Sequence, residues 1–378
     1  MRSFTFNSER DAERVSAERL TAADRPGEAQ PVPERPVPDR PFGAILLAAL
    51  VLAGAMLGAW EWHWRSLGVR PSYRDDEALW AIQRRRIDQG EGDATVIAAA
   101  SRSLFDVQLD VWQRLAGRRP VQLALAGTSP IGIVEDLAAD PRFTGRLLIG
   151  IAPDIFFSGF EFLGGRPQFT RKESPSERVG KWLSMHAIEP YFAFYDEDYA
   201  LWTVLQRQPW PDRPGRPRRL HVRRILVTEA DRNSHLWSRV ETDAAYRDLV
   251  RRTWAQNFDS APTDPKALAE EQSTRDRQIG RMAEAVRTLR ARGVPVVFVR
   301  EPSAGPYLAY EDRRFPRAAD WEPLLAKTGA PGIYFSDYPE LRDLDVPEWS
   351  HLSHASAERY TAALVRILES EHGADGPW

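Results

Sequence analysis

The sequence predicts an α/β domain, a mostly parallel sheet covered by helices on both faces, preceded by one transmembrane helix. Three observations carry this expectation. Short apolar runs recur at Thr95–Ala100, Val121–Ala126, Leu147–Ile151 and Pro295–Val299, each bounded by polar or turn residues. Amphipathic helical patterns separate several of them, as expected of parallel strands joined by crossover helices. Ahead of them all, Phe42 to Trp60 runs nineteen residues without a charge.

Residues 1–41 hold seven Arg, eight acidic residues and six Pro. Prolines such as those of Pro31-Val32-Pro33 and Pro36-Val37-Pro38 cannot propagate a helix, and little apolar surface is available to bury. A flexible tail is expected. The stretch that follows would span roughly 28 Å at about 1.5 Å per residue, close to the hydrocarbon thickness of a bilayer. Residues 42–62 therefore read as a transmembrane helix, anchored by Phe42 at one end and by Trp60, Trp62 and Trp64 at the other. A cleaved signal peptide fits less well, because the preceding tail is too long for its basic leader and no clean small-residue cleavage site follows. Arg35 and Arg40 lie before the span and Arg65, Arg70 and Arg74 after it, so basic residues do not set its orientation. A single uncleaved anchor ahead of a large domain most often leaves that domain outside the cytoplasm and the tail inside. Gly54 and Gly58, four apart, offer a small-residue face on which another helix could pack. The expected partners are thus the lipid bilayer and, through the Phe42–Trp60 helix and the tail, other membrane proteins.

Residues 63–90 read as a juxtamembrane connector and 91–372 as the α/β domain. The strand–helix rhythm breaks at about 158–270. This insertion holds a polar loop (Gly164–Lys181), an aromatic stretch (Tyr191, Phe192, Phe194, Tyr195, Tyr199, Trp202) and the run Arg213–Arg224 with six Arg and no acid. The aromatics could stack on sugar rings or build the insertion's own core. The basic run could meet anionic headgroups or an acidic partner, or simply be a solvated loop. Beyond the insertion, Ile279, Met282, Val286 and Leu289 share one helical face, and Gly293 ends that helix before the Pro295 strand. Tyr360, Leu364, Ile367 and Leu368 mark a last amphipathic helix.

Composition excludes several functions. Lys+Arg number 51 against 54 Asp+Glu, a net charge of −3, which argues against nucleic-acid binding by phosphate neutralisation. The chain has no cysteine, so disulfides, thiolate nucleophiles and Cys-ligated metals are excluded. His63, among the interfacial tryptophans, reads as a headgroup contact; His186, His221, His235 and His372 lack partners at metal-ligand spacing, and His351-x-x-His354 has no carboxylate ligand near it, so no metal is expected. Glycine-rich nucleotide-binding patterns are also missing, so no cofactor is expected.

Chemistry gathers at two places. Ser101 closes the first apolar run in Ala98-Ala99-Ala100-Ser101-Arg102, and Pro347-Glu348-Trp349-Ser350-His351-Leu352-Ser353 precedes the last helix. Serine is a weak nucleophile at its own pKa and needs an adjacent base. An imidazole supplies one, and a carboxylate fixes its tautomer and stabilises the imidazolium. Ser129, in Gly127-Thr128-Ser129-Pro130, is a competing nucleophile or else an N-cap, with Pro130 opening the next helix.

A serine after the first strand, with a carboxylate three residues ahead of a late histidine, resembles the SGNH (GDSL-like) hydrolase superfamily over roughly residues 90–160 and 290–370. The resemblance implies a flavodoxin-like three-layer fold, with Ser101 as nucleophile, His351 as base and Glu348 as orienting acid. It also implies an oxyanion hole from the backbone N–H groups of Ser101 and Gly127. The chain departs from the family pattern at three places. Ala99 stands two before the serine where the family has glycine, Glu348 replaces the usual Asp, and Ile151–Phe157 offers no asparagine as a further oxyanion donor. Asp154 in that stretch, if ionised, would repel an oxyanion. Losing one such donor typically costs about 10²–10³ in rate.

Two functions are therefore expected in competition. One is a serine esterase or O-acyltransferase acting on acyl groups, such as acetyl, of envelope glycans. The other is a catalytically inactive scaffold of the same fold, serving as a subunit of a larger membrane complex such as an energy-transducing or photosynthetic assembly.

Overall fold

The computed structural model describes residues 40–206, 208, 220–222, 224–256, 258 and 264–373. Nearly all of the expected tail and most of the Arg213–Arg224 run lie outside the described residues. The chain divides into two compact units, residues 1–58 and 59–378. In the first, the uncharged run forms a helix, Phe42–Ser66, that continues past the expected end at residue 62 into the second unit. It is long and apolar enough to cross a membrane, and its apolar window is 0% buried.

Among the described residues the second unit has seven strands: β1 Thr95–Ala98, β2 Val121–Gln122, β3 Arg146–Gly150, β4 Leu226–Thr228, β5 Ser234–Leu236, β6 Val296–Arg300 and β7 Gly332–Tyr334. Five form a parallel sheet in the order β2-β1-β3-β6-β7, while β4 and β5 make a separate antiparallel hairpin. Side chains alternate along each strand between two cores. Val96, Ala98, Leu147, Ile149, Val296 and Phe298 enter one, beneath the helices Ile131–Ala139, Pro265–Ala291 and Trp321–Thr328. Ile97, Ala99, Leu148, Val297 and Val299 enter the other, beneath Ser101–Asp106, Leu109–Ala116 and His354–His372. Burial on both faces is why these strands read as continuous apolar runs rather than alternating ones.

The two helices inferred from apolar spacing lie where expected. Met282, Val286 and Leu289 face the first core, and Tyr360, Leu364 and Leu368 the second. Gly293, at φ +79°, turns the chain into β6. The run Val121–Ala126 yields a strand of only two residues, although Leu123 and Leu125 still donate to the Ile97 and Ala99 carbonyls at 2.9 and 2.8 Å. The strand β7 and the hairpin gave no periodic signal, being three residues each.

Residues 63–90 are not a free connector. Asp76 caps the helix Glu77–Arg86 by accepting from Leu79 N at 2.8 Å, and the buried Trp80 donates its indole N–H to the Leu123 carbonyl at 2.9 Å. Asp75 meets Arg232 and Arg166 at 2.7 and 3.1 Å. The fold therefore begins ahead of residue 91.

The tryptophan anchors need correction as well. Trp62 is 72% exposed and Phe42 51%, but Trp64 is only 5% exposed and Trp60 is half-buried. Trp64 packs in a small core with Val69, Ala193, Tyr199 and Trp237. The cause is Glu61, whose carboxylate accepts from the backbone N–H groups of Ala193 and Phe194 at 3.0 and 3.1 Å and folds that segment against the helix end. Part of the aromatic stretch thus builds the insertion's own core.

Candidate active site

Counting only the strands of the main sheet, the order is 2-1-3-4-5, and the connections from β1 and β3 leave in opposite directions along the sheet. In such sheets the crevice at the carboxyl ends of these two strands is the place where a ligand can be enclosed. Ser101 leaves β1 there, as the first residue of the short helix Ser101–Asp106. Ala100, rather than Ser101, holds the capping position, so the serine hydroxyl is not used in capping.

The late loop delivers its imidazole to that hydroxyl. His351 Nε2 lies 2.9 Å from Ser101 Oγ, and His351 Nδ1 lies 2.5 Å from Glu348 Oε1. The same carboxylate oxygen accepts from the backbone N–H of His351 at 2.8 Å, and the second oxygen accepts from the indole N–H of Trp254. Glu348 and His351 are 0% and 2% exposed, so their contacts compete little with water. Nδ1 facing a carboxylate carries the proton, which leaves Nε2 as an acceptor for the serine proton. Glu348 folds its carboxylate back on its own loop to reach His351 N, and Trp349 between them adopts φ +77°. A bulky residue in that region is strained and must be held. Arg251 does so in part, donating to the Pro347 carbonyl at 3.0 and 2.6 Å and lying 5.2 Å from the centre of the Trp349 ring.

Further residues fix the imidazole and the serine helix to one another. Phe105 stacks on His351 with centroids 4.1 Å apart. Asp106 Oδ1 accepts from Leu352 N at 2.9 Å, tying the end of the serine helix to the residue after the histidine. Burial pushes the Asp106 carboxyl well above its usual range, with nearby Glu301 and Glu348 adding to the effect. A neutral carboxyl still accepts that bond, and it leaves no unpaired charge behind the histidine.

The sequence reading missed Trp254, Phe105, Asp106 and Arg251. Trp254 and Arg251 come from the helix Ala244–Ala255, within the insertion. Among 13 tryptophans nothing local distinguishes Trp254. Asp106 was more visible, being an acid in an otherwise apolar second turn.

Gly127 follows β2 in the left-handed region at φ +59°, which explains the glycine there; an added Cβ would meet only Phe160, at 3.9 Å. Ser129 is buried, and its hydroxyl faces Ile131 N at a weak 3.5 Å. His351 is bonded to Ser101, so the geometry leaves Ser129 a turn residue ahead of the helix Ile131–Ala139. Asp154 lies in the short helix Pro153–Phe156 after β3, and its Oδ2 accepts a hydrogen bond from the Tyr307 hydroxyl at 2.6 Å. Burial and then Glu311 raise its pKa, with Arg102, the Tyr307 hydrogen bond and Arg300 opposing.

The glycine missing at Ala99 has a counterpart across the sheet. A Cβ on Gly150 would lie 2.6 Å from the Ala99 methyl and 2.2 Å from both Glu301 Oε1 and Ser103 Oγ. The close approach between β1 and β3 is kept by removing a side chain from β3 instead of β1.

Beside the Gly127 turn, a groove of about 680 Å³ is lined by Asp154, Phe157, Phe160, Tyr310, Arg314 and Phe315, among others. Phe160 links it to the turn, since its carbonyl accepts from Ser129 N at 2.7 Å. Among the described residues, no group of three or more His, Asp or Glu could hold a metal ion. No family model, curated protein or solved structure matches the chain, so the site must be read from its own geometry.

Proposed function

We propose that this chain is a membrane-tethered serine ester hydrolase or O-acyltransferase of SGNH-like architecture. The observation that carries the reading is the line Ser101 Oγ–His351 Nε2 at 2.9 Å and His351 Nδ1–Glu348 Oε1 at 2.5 Å, with both carboxylate oxygens engaged. A decayed scaffold would have no physical reason to hold a strained turn and a buried acid–imidazole pair against an unused hydroxyl.

In this reading Ser101 Oγ attacks an acyl carbonyl while His351 Nε2 takes its proton and Glu348 stabilises the imidazolium. Charge developing on the carbonyl oxygen is met by backbone N–H groups, that of Ser101, which has no intrahelical carbonyl to bond, and that of Gly127. His351 then returns the proton to the departing alkoxide. The acyl-Ser101 intermediate passes its acyl group to water or to a sugar hydroxyl, with His351 again serving as base. An extracytoplasmic domain tethered this way would act on O-acyl groups of envelope glycans, and the aromatic-lined groove beside Gly127 suits a sugar ring.

The test is labelling of the full chain in detergent with a fluorophosphonate probe, beside turnover of p-nitrophenyl acetate. Covalent modification of Ser101, lost together with turnover in Ser101→Ala, is the expected result. No labelling, and equal background turnover in both proteins, would overturn the proposal.

A further inference from the structure

The aromatic insertion leaves large apolar side chains in solvent at a place where solvent is not the expected neighbour. Tyr191 is 60% exposed, Leu201 58% and Trp202 70%, and Trp62 is 72% exposed close by in sequence to the anchor's end. A tether of hydrogen bonds fixes where they sit. Arg65 Nη2 donates to the Tyr191 carbonyl at 2.8 Å, Glu61 accepts from Ala193 and Phe194, and Trp60 Nε1 donates to the Tyr199 carbonyl at 3.3 Å. Trp60 is the residue at which the uncharged run ends. Chain connectivity alone therefore keeps it at the edge of any hydrocarbon layer that the run occupies. Leu201 follows Tyr199 by two residues, at most about 7 Å of chain. The headgroup zone of a bilayer is about 5–7 Å deep on each side. Leu201 and Trp202 thus fall within reach of that zone, and Trp and Tyr are the side chains that favour it.

We propose that the segment Tyr191–Trp202, with Trp62, is a second membrane contact that dips into the headgroup region of the leaflet from which the anchor emerges. This rests on the reading of Phe42–Ser66 as a membrane span, not on the esterase reading. Two attachments, one spanning and one interfacial, would restrict the tilt of the domain about its tether, so that the Ser101 crevice keeps a set direction relative to the surface. The occupant is lipid rather than a protein partner because the patch is continuous with the end of the apolar run through the bonds named above.

The absence of native cysteines allows a clean test. Single-cysteine variants of the full chain, Leu201→Cys, Trp202→Cys, Leu50→Cys and Leu268→Cys, are labelled with an environment-sensitive fluorophore and reconstituted in vesicles containing acyl-chain-brominated phosphatidylcholine. Leu50 lies within the uncharged run, and Leu268 is an exposed control on the helix covering the opposite face of the sheet. Expected is about a twofold or greater loss of emission at positions 50, 201 and 202 relative to unbrominated vesicles, and none at 268. Quenching at 50 without quenching at 201 and 202 overturns the interfacial contact alone. Equal quenching at 201, 202 and 268 overturns it too, since the contact would not be selective. No quenching at 50 removes the membrane span and this proposal with it. Thermal melting of each labelled variant, matched to the unlabelled chain, shows that the fold is kept.

Discussion

Trp254→Phe isolates the contribution of the insertion to the triad. The substitution keeps an aromatic ring but removes the N–H that Glu348 Oε2 accepts. A hydrogen bond to a charged, buried acceptor contributes about 1.5–3 kcal/mol. Glu348 keeps its other contacts, to His351 N at 2.8 Å and Nδ1 at 2.5 Å, so the histidine is not released. The loss is felt chiefly when the imidazole becomes charged and the carboxylate must be oriented to meet it. If the whole bond matters in the transition state, kcat/KM falls about ten- to a hundred-fold. The assay is the second-order rate of fluorophosphonate labelling, which needs no knowledge of the natural acyl donor. Glu348→Gln sharpens it. Its carbonyl can still face His351, but its NH₂ then opposes the Trp254 indole N–H, donor against donor. Adding Trp254→Phe to Glu348→Gln should therefore cost nothing further, or restore some rate, whereas it is costly in the wild-type background. Labelling of Trp254→Phe within about twofold of wild type, below the smallest loss a tenfold step per 1.36 kcal/mol would give, refutes the idea that the indole holds the acid.

Other outcomes follow from the same contacts. Asp106→Asn should leave the melting temperature within a few degrees of wild type, because a neutral carboxyl and an amide accept the Leu352 N–H alike. Asp106→Ala should lose about 1–3 kcal/mol in denaturant unfolding and slow labelling of Ser101, since a buried N–H is left unpaired. Gly150→Ala should cost at least about 1–3 kcal/mol, because its Cβ would lie 2.2 Å from Glu301 Oε1 and Ser103 Oγ; wild-type stability would contradict the packing described. Burial pushes Asp320 up to about 6, with Arg275 opposing. The folded state then holds the proton more tightly than the unfolded one, so Asp320 contributes most favourably below about pH 4 and loses that contribution as pH rises through 6. Asp320→Asn is expected to be more stable than wild type at pH 7, by about 3 kcal/mol at most and less as solvent screens the group, with the difference nearly gone at pH 4 in urea unfolding.

How much of this was legible in the sequence depends on the range over which each residue acts. Strands buried on both faces announce themselves as apolar runs, so β1, β3 and β6 were found. β7 and the β4–β5 hairpin, three residues per strand, carry too few side chains for a period to show. Glu348 and His351 were legible because their interaction is local, three positions apart on one loop. Ser101, 250 positions away from His351, needed the expectation of a parallel sheet to bring it near. Trp254 acts across 94 positions from an insertion whose fold has no periodic signal, and it could not have been chosen. Trp64 shows the opposite error. Its neighbours in sequence suggested a membrane interface, while its neighbours in space are Ala193, Tyr199 and Trp237.

Two of the three departures from the family pattern, and the acid in the stretch that lacks the third, invite the same argument, that a motif describes one solution to a packing problem rather than the problem itself. The problem at Ala99 is the closeness of β1 and β3, and Gly150 solves it from the other strand. The problem at Glu348 is reach, and the longer side chain folds back on its own loop to meet His351 N. At Asp154 the difficulty is charge, and burial beside Glu311 raises the carboxyl's pKa, against the opposing pull of Arg102 and of the Tyr307 hydrogen bond. At Ala99 the compensation lies on another strand, outside the short motif it repairs. If the compensations are functional, they should be coupled to the positions they repair. Gly150→Ala combined with Ala99→Gly should recover part of the stability lost in Gly150→Ala alone, because one of the three close contacts is removed while Glu301 and Ser103 remain. A double variant no more stable than Gly150→Ala would show that Ala99 and Gly150 are independent, and the exchange of one glycine for another would then have no packing basis.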